Sequence, residues 1–233
     1  MSYDGDMADR APLSRRERVR AQTLAEIRAE AFRQVDEGGP AALSLNAIGK
    51  AMGMSGPALY RYYASRDELL GALVTEGYAQ LGEAMAAAAQ AGARRGPERR
   101  LHDVLAAYRD WALAHPRRYA MLFDHRPIAD VPADSEEAVD VIHEGMVLLL
   151  GLLGELAPAG GAARPSGRLE QQLTRWARTR GTPAGLAPGV LLLGVLVWTQ
   201  LHGVVSLELA GALPSMGLDG GLVLEAALRA QLA

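Results

Sequence analysis

Apolar positions recur along this chain at helical spacing, in blocks divided by glycine and proline. From Ser14 to Glu37, Val19, Leu24, Ile27, Ala31 and Val35 follow one another at intervals of three to five residues, and Gly38-Gly39-Pro40 ends the run. That period predicts one amphipathic helix with a defined stop. Two very short helical segments follow. Ser44 can cap the first, whose apolar face is Leu45, Ile48 and Met52; Gly53 breaks it, and Ser55 can cap the second, with Pro57 in the first turn where proline is tolerated. Ser65 with Glu68 three residues on is a capping-box pattern opening a long helix to about Ala91.

Further helical blocks are predicted at Glu98–His115, at a short Arg117–Phe123 turn, and at Ser135–Leu156, Arg168–Arg180, Gly189–Ala210 and Gly221–Leu232. The breaks between them include a polar loop at Asp124–Asp134 and a Pro/Gly-rich stretch at Pro158–Gly167. Strand signals are weak throughout, because aromatic and β-branched residues are sparse beside Ala, Leu, Arg and Glu. The expected class is all-α. Residues 1–13 read as a disordered arm, 14–64 as one domain and 65–233 as a second, with no obvious linker between the last two.

Composition narrows the chemistry. With 233 residues, 49% of them hydrophobic, the chain can bury a sizeable core, and having no cysteine it does so without disulfides or thiolate sites. The five histidines show no metal-like i, i+4 pair, so no metal is expected, and His202 reads as a core or interface hydrogen-bonding group. No cofactor is expected either. The chain lacks G-x-S-x-G, a phosphate-cradling glycine loop and H-E-x-x-H, which argues against an enzyme. A net charge of -3 is unremarkable, but Arg10, Arg15, Arg16, Arg18 and Arg20 cluster near the start, where a basic arm would attract phosphates. The first twenty residues hold no apolar stretch fit for a secretory signal, and the expected location is the cytoplasm. Val190 to Leu207 has no charged residue, yet it contains Thr199, Gln200, His202 and Ser206, and it reads as a helix buried on several sides rather than a membrane span.

The stretch Leu43 to Arg66, LSLNAIGKAMGMSGPALYRYYASR, has the parts of a helix-turn-helix: two short helices, a turn glycine at Gly53, and Ile48, Met52, Met54 and Leu59 to hold the pair on a third helix. Ser55, Gly56, Pro57 and Ala58 keep the start of the second helix small enough for its backbone to approach base edges. Tyr60, Tyr62 and Tyr63 occupy three of four positions and cannot share one face; Tyr63 is expected inward, Tyr60 and Tyr62 outward onto backbone phosphates. Arg66 sits at the positive end of the following helix, unfavourable by roughly 0.3–1 kcal/mol unless the cation and the helix terminus bind one phosphate.

Ala42–Leu70, with its Leu-Tyr-x-Tyr-Tyr-x-Ser-Arg-x-Glu-Leu-Leu core, resembles the DNA-binding domain of TetR-family regulators. The resemblance implies that Asn46, Ser55, Gly56, Pro57, Ala58 and Arg61 face the major groove, and that Tyr60, Tyr62 and Arg66 clamp the backbone. The family usually has lysine where this chain has Arg66. Tyr108 to Tyr119, together with Trp198-x-x-x-His202-Gly203, resembles the subgroup named for a Trp-His-Gly signature. That second likeness implies a C-terminal helical ligand-binding and dimerisation domain whose last two long helices form a four-helix interface in a homodimer. Independently, Val190 to Leu209 is apolar on many faces, Gly194 and Gly203 permit close approach, and Leu222, Leu224, Ala227, Leu228 and Leu232 form a stripe. Tyr108, Trp111, Met121, Phe123, His143, Met146 and Trp198 are the candidate ligand-binding residues, suited to a small apolar or aromatic effector. The expected function is a repressor released from a palindromic double-stranded DNA operator by that effector. No membrane partner is expected.

Overall fold

The computed structural model describes residues 14–123, 136–156 and 165–232, and every element among them is helical. The expectations for the 1–13 arm with Arg10, the Asp124–Asp134 loop and most of Pro158–Gly167 lie outside the described residues. Two compact units divide between Leu70 and Gly71.

The first unit begins with α1 (Arg15–Gly38). Ser14 closes a full capping box: its hydroxyl accepts from Glu17 N–H, while the Glu17 carboxylate accepts from Ser14 N–H. The helix stops at Gly39, whose φ of 76° favours glycine. Ile27, Ala31 and Val35 are wholly buried, but Val19 is 55% exposed, a correction to the predicted stripe. The first turns of α1, Ser14 to Gln22, are exposed throughout, so apolar spacing there meets no opposing surface. A 3-10 turn (Pro40–Ala42) leads to α2 (Leu45–Ala51), capped by Ser44, whose hydroxyl accepts from Ala47 N–H at 3.3 Å. Then comes α3 (Gly56–Leu59). Leu43, Leu45, Ile48, Leu59 and Tyr63 close the core over α1, whereas Met52 and Met54 are only half-buried.

α4 (Arg66–Ala91) runs across the division. Ser65 Oγ accepts from Glu68 N–H at 3.0 Å, but the Glu68 carboxylate turns back one residue further, to Ala64 N–H at 2.5 Å. The second unit contains the rest of α4, α5 (Pro97–Ala114), α6 (Pro116–Phe123), α7 (Glu136–Leu156), α8 (Arg168–Thr179), α9 (Pro188–Leu209), the short α10 (Ala212–Ser215) and α11 (Gly220–Leu232). The α10 turn falls where the sequence suggested only a loop.

α9 is the central strut and packs on α5, α7, α8, α10 and α11. By length and composition it is apolar enough to cross a membrane; here it packs on five neighbours and buries Val190, Leu191, Val197, Leu201, Val204 and Val205, while Leu196 and Leu207 stay exposed. Gly194 was expected to allow close approach between copies. Its open side is instead filled from within the chain, by Leu150 and Leu153 of α7. Gly203 has no such neighbour. At the far end of α9, Arg109 of α5 forms a two-pronged ion pair with Glu208, Nε to Oε2 at 2.8 Å and Nη2 to Oε1 at 2.6 Å. α11 buries Leu224 and Leu228, but Leu222 stands 67% exposed, apart from the stripe in which it was placed.

Candidate nucleic-acid interface and interior cavity

Gly53, at φ 65°, turns the chain between α2 and α3, and Met54 N–H donates back to Gly49 O at 2.8 Å. Ser55 occupies the cap position of α3, yet its hydroxyl makes no capping bond. The reason lies in the two residues it would serve. Pro57 has no N–H, and the Ala58 N–H already donates to the Ser55 carbonyl at 2.9 Å. The Ser55 side chain, Gly56 and Pro57 are therefore exposed with no internal hydroxyl bond, and Ala58 is half-buried behind them.

Around this tip Asn46, Lys50, Tyr60 and Arg61 are all exposed. Tyr63 is 6% exposed, and its hydroxyl accepts from Arg28 Nη1 at 3.4 Å. Tyr62 is half-buried, with the Arg20 guanidinium 5.1 Å above its ring. Arg20 thus brings the basic start of α1 beside the tip. Lys50, in the last turn of α2, was not singled out from the sequence; its position five residues before the cap of α3 was the available signal. Arg66, expected to reach a phosphate, stays exposed and lays its guanidinium along the neighbouring backbone: Nε donates to Leu43 O at 3.2 Å and Nη2 to Pro40 O at 2.6 Å.

Among the described residues the second unit forms a partly open cavity of about 300 Å³. Its wall is made by Tyr78, Leu81 and Met85 of α4, Tyr108, Phe123, Met146, Trp176 and Trp198, with His143 the only ionisable side chain besides the two phenols among the described lining residues. Gly82 and Gly145 contribute bare backbone. Beside the cavity the His202 ring lies parallel to Trp198, at 5.5 Å between centroids, and tilted by 29° to Tyr119. Tyr119 Oη is 2.8 Å from His202 Nδ1 and 3.3 Å from Ser206 Oγ, while Tyr108 Oη is 3.4 Å from the same nitrogen. His202 thus sits in a hydrogen-bonded aromatic stack. Tyr78 Oη donates to Leu122 O at 3.0 Å.

Residues 27–73 match the family described as bacterial regulatory proteins, tetR family, and residues 101–231 match the tetracyclin repressor-like C-terminal domain. The chain belongs to the TetR family. HTH-type transcriptional regulator Rv1816 of Mycobacterium tuberculosis is 33% identical over 117 residues, and Mb1846 of Mycobacterium bovis matches equally. The chain spans about half the length of these curated relatives, 50% of each. The crystal structure of SCO4313 is 34% identical, with a TM-score of 0.74 over 94% of this chain and 99% of that one. A Rhodococcus sp. RHA1 protein, 19% identical with a TM-score of 0.68 over 97% of both chains, shares the fold. This TetR-family chain thus carries the family's regulatory-protein domain at residues 27–73 and its C-terminal domain at residues 101–231.

Of the residues expected to meet a ligand in this TetR-family protein, Tyr108, Phe123, His143, Met146 and Trp198 surround the cavity, and Trp111 and Met121 do not. Trp111 lies three residues past Tyr108 on α5 and packs against the His115 ring at 5.4 Å. Met121 is 1% exposed and belongs to the solid core. Tyr78, Leu81, Met85 and Trp176 were missed. The first three sit at i, i+3 and i+7 on α4, a readable stripe that the many alanines of that helix obscure.

Burial pushes both the Tyr78 and Tyr108 phenols well above the ordinary tyrosine range, with the neighbouring Tyr119 adding to each shift. The folded protein then holds both protons beyond about pH 10, where the unfolded chain releases them. Stability is fully present below that pH and falls as pH rises through and past it. The urea midpoint, followed from neutral to strongly alkaline pH, should drop above about pH 10, and the drop should be shallower in Tyr108→Phe.

Proposed function

We propose that this TetR-family regulator is a homodimeric repressor, acting in the cytoplasm, that leaves a palindromic operator when a small apolar or aromatic molecule enters the cavity of the second unit. The observation that carries the reading is the cavity wall. Among the described residues it is mostly aromatic and aliphatic, and Tyr78, Leu81, Gly82 and Met85 all come from α4, the same continuous helix that starts at Arg66. A molecule pressing on that wall acts on a helix whose first turn belongs to the DNA-reading unit. The coupling is reciprocal: effector that weakens operator binding is itself bound less tightly on operator.

At the reading tip, Asn46, Ser55, Gly56, Pro57, Ala58 and Arg61 face the groove, and Tyr60 and Tyr62 meet the flanking phosphates. Dimerisation uses the flank of α9 and α11 that the chain leaves open. Leu196 and Leu207 on α9 are 43% and 50% exposed, Gly203 between them is unobstructed, and Leu222 on α11 continues the patch. Such a two-fold pairing supplies two reading helices about 34 Å apart, one DNA turn. The Trp198-x-x-x-His202-Gly203 run supports placement in the Trp-His-Gly subgroup, with Trp198 and His202 stacked at the cavity.

Titration of duplex DNA against salt tests the first half of this reading. A dimer neutralising several phosphates per half-site should lose about a thousandfold or more in affinity between low and physiological salt; a flat response would remove DNA from the account. Sedimentation velocity tests the second. The wild type should run as a dimer, and Leu207→Glu with Leu222→Glu as a folded monomer. Thermal shift against a panel of neutral aromatic compounds tests the cavity: a ligand at a hundred times its Kd stabilises by about 2.7 kcal/mol, and Met146→Trp should abolish that gain by filling the space.

A further inference from the structure

The structure assigns Arg66 to positioning: it fixes the peptide from which α2 departs, rather than gripping a phosphate. The inference rests on the DNA-binding reading above. The Leu43–Ser44 peptide is held from both sides. Its carbonyl accepts from Arg66 Nε at 3.2 Å, and its N–H donates to Gln34 Oε1 at 2.9 Å. Gln34 belongs to α1 and is 8% exposed; Arg66 opens α4. Ser44, the second residue of that peptide, is the cap of α2. Arg66 Nη2 also donates to Pro40 O at 2.6 Å, in the 3-10 turn just upstream, and Nη1 lies 3.6 Å from Asp67 Oδ1.

A guanidinium turned this way has its fork engaged by two carbonyls, a geometry that suits arginine because its donors are rigidly spaced. Lysine keeps the charge but offers one nitrogen where the fork uses two. Three helices thus meet at one peptide, and the two outer ones set where α2 begins. Asn46 follows that peptide by two residues, and α3 follows α2 across the Gly53 turn, so the clamp fixes the reading residues as a group. It also gives the first turn of α4 a direct hold on α2.

An operator recovered by wild-type selection from random duplexes, with a scrambled duplex as control, provides the test. Arg66→Lys, Arg66→Gln and Gln34→Leu are compared well below the thermal midpoint of each variant. All three should lose about tenfold in operator affinity, the scale of one lost base contact. The ratio of operator to scrambled binding should fall by the same factor, and the salt slope should stay at the wild-type value. The proposal is overturned if Arg66→Lys binds as wild type while Arg66→Gln lowers the salt slope by about 0.9 per chain, the mark of a lost phosphate contact. A wild-type protein that binds no duplex would sink the functional reading instead, and Gln34→Leu retaining full specificity would sink only the clamp.

Discussion

Gly56→Leu is expected to destroy operator recognition while leaving the protein folded. Beyond its chain neighbours a Cβ at this position meets nothing within 4 Å, so the new side chain enters solvent, and its one steric cost is the ring of Pro57 against a helical residue ahead of it. Replacing glycine lowers the backbone entropy of the unfolded state, worth roughly 0.5–1 kcal/mol in a helix interior, and the clash with Pro57 works against that gain. The main cost falls on binding. Gly56 is the first residue of α3, flanked by exposed Ser55 and Pro57, at the tip proposed to lie against base edges. An isobutyl group there holds the backbone several ångströms off and removes base contacts together. Operator affinity should fall by about a thousandfold, towards the non-specific level, in an electrophoretic shift, while a cooperative thermal transition shows the protein still folded. Retained operator affinity would mean that α3 does not enter the groove.

The second large effect concerns the other unit. Leu150→Ala should lower its stability by about 2–5 kcal/mol, because the site is closed on all sides and cannot collapse. Leu150 is wholly buried and packs with Leu173 and Leu191, with Met146, Trp176 and Leu186 around them. Its Cδ2 also fills the space left by the missing side chain of Gly194. The two positions are therefore coupled. Gly194→Ala should destabilise the wild type, where the methyl group meets Leu150, but partly rescue Leu150→Ala by entering the vacated volume. Urea unfolding of the four proteins in the cycle measures this. Additive effects would show that the two residues do not share a space.

Much of the reading head was legible because local chemistry fixes it. Three tyrosines in four positions cannot share a face, and the buried Tyr63 beside the exposed Tyr60 follows from that alone. Gly53 was legible as a turn because the break in apolar period coincided with the residue that tolerates positive φ. What periodicity could not supply was the identity of the surface opposite. Val19 repeats in register with Ile27, yet it stands 55% exposed. Gly194 and Gly203 look alike in sequence, and only the course of α7 decides that one is filled and the other open. Trp111 and Tyr108 are three residues apart, and that small rotation separates the cavity wall from the packing around His115. The Ser55 cap failed for a stereochemical reason: proline two residues on has no hydrogen to give.

The distribution of indoles also makes the molecule its own optical sensor. Of its three tryptophans, Trp176 and Trp198 face the cavity, while Trp111 is turned away and shielded. A molecule entering the space sits against two emitters and leaves the third as an internal reference, so candidate effectors can be screened on unlabelled protein by intrinsic emission. Trp176→Phe and Trp198→Phe would then report which end of the cavity each compound occupies.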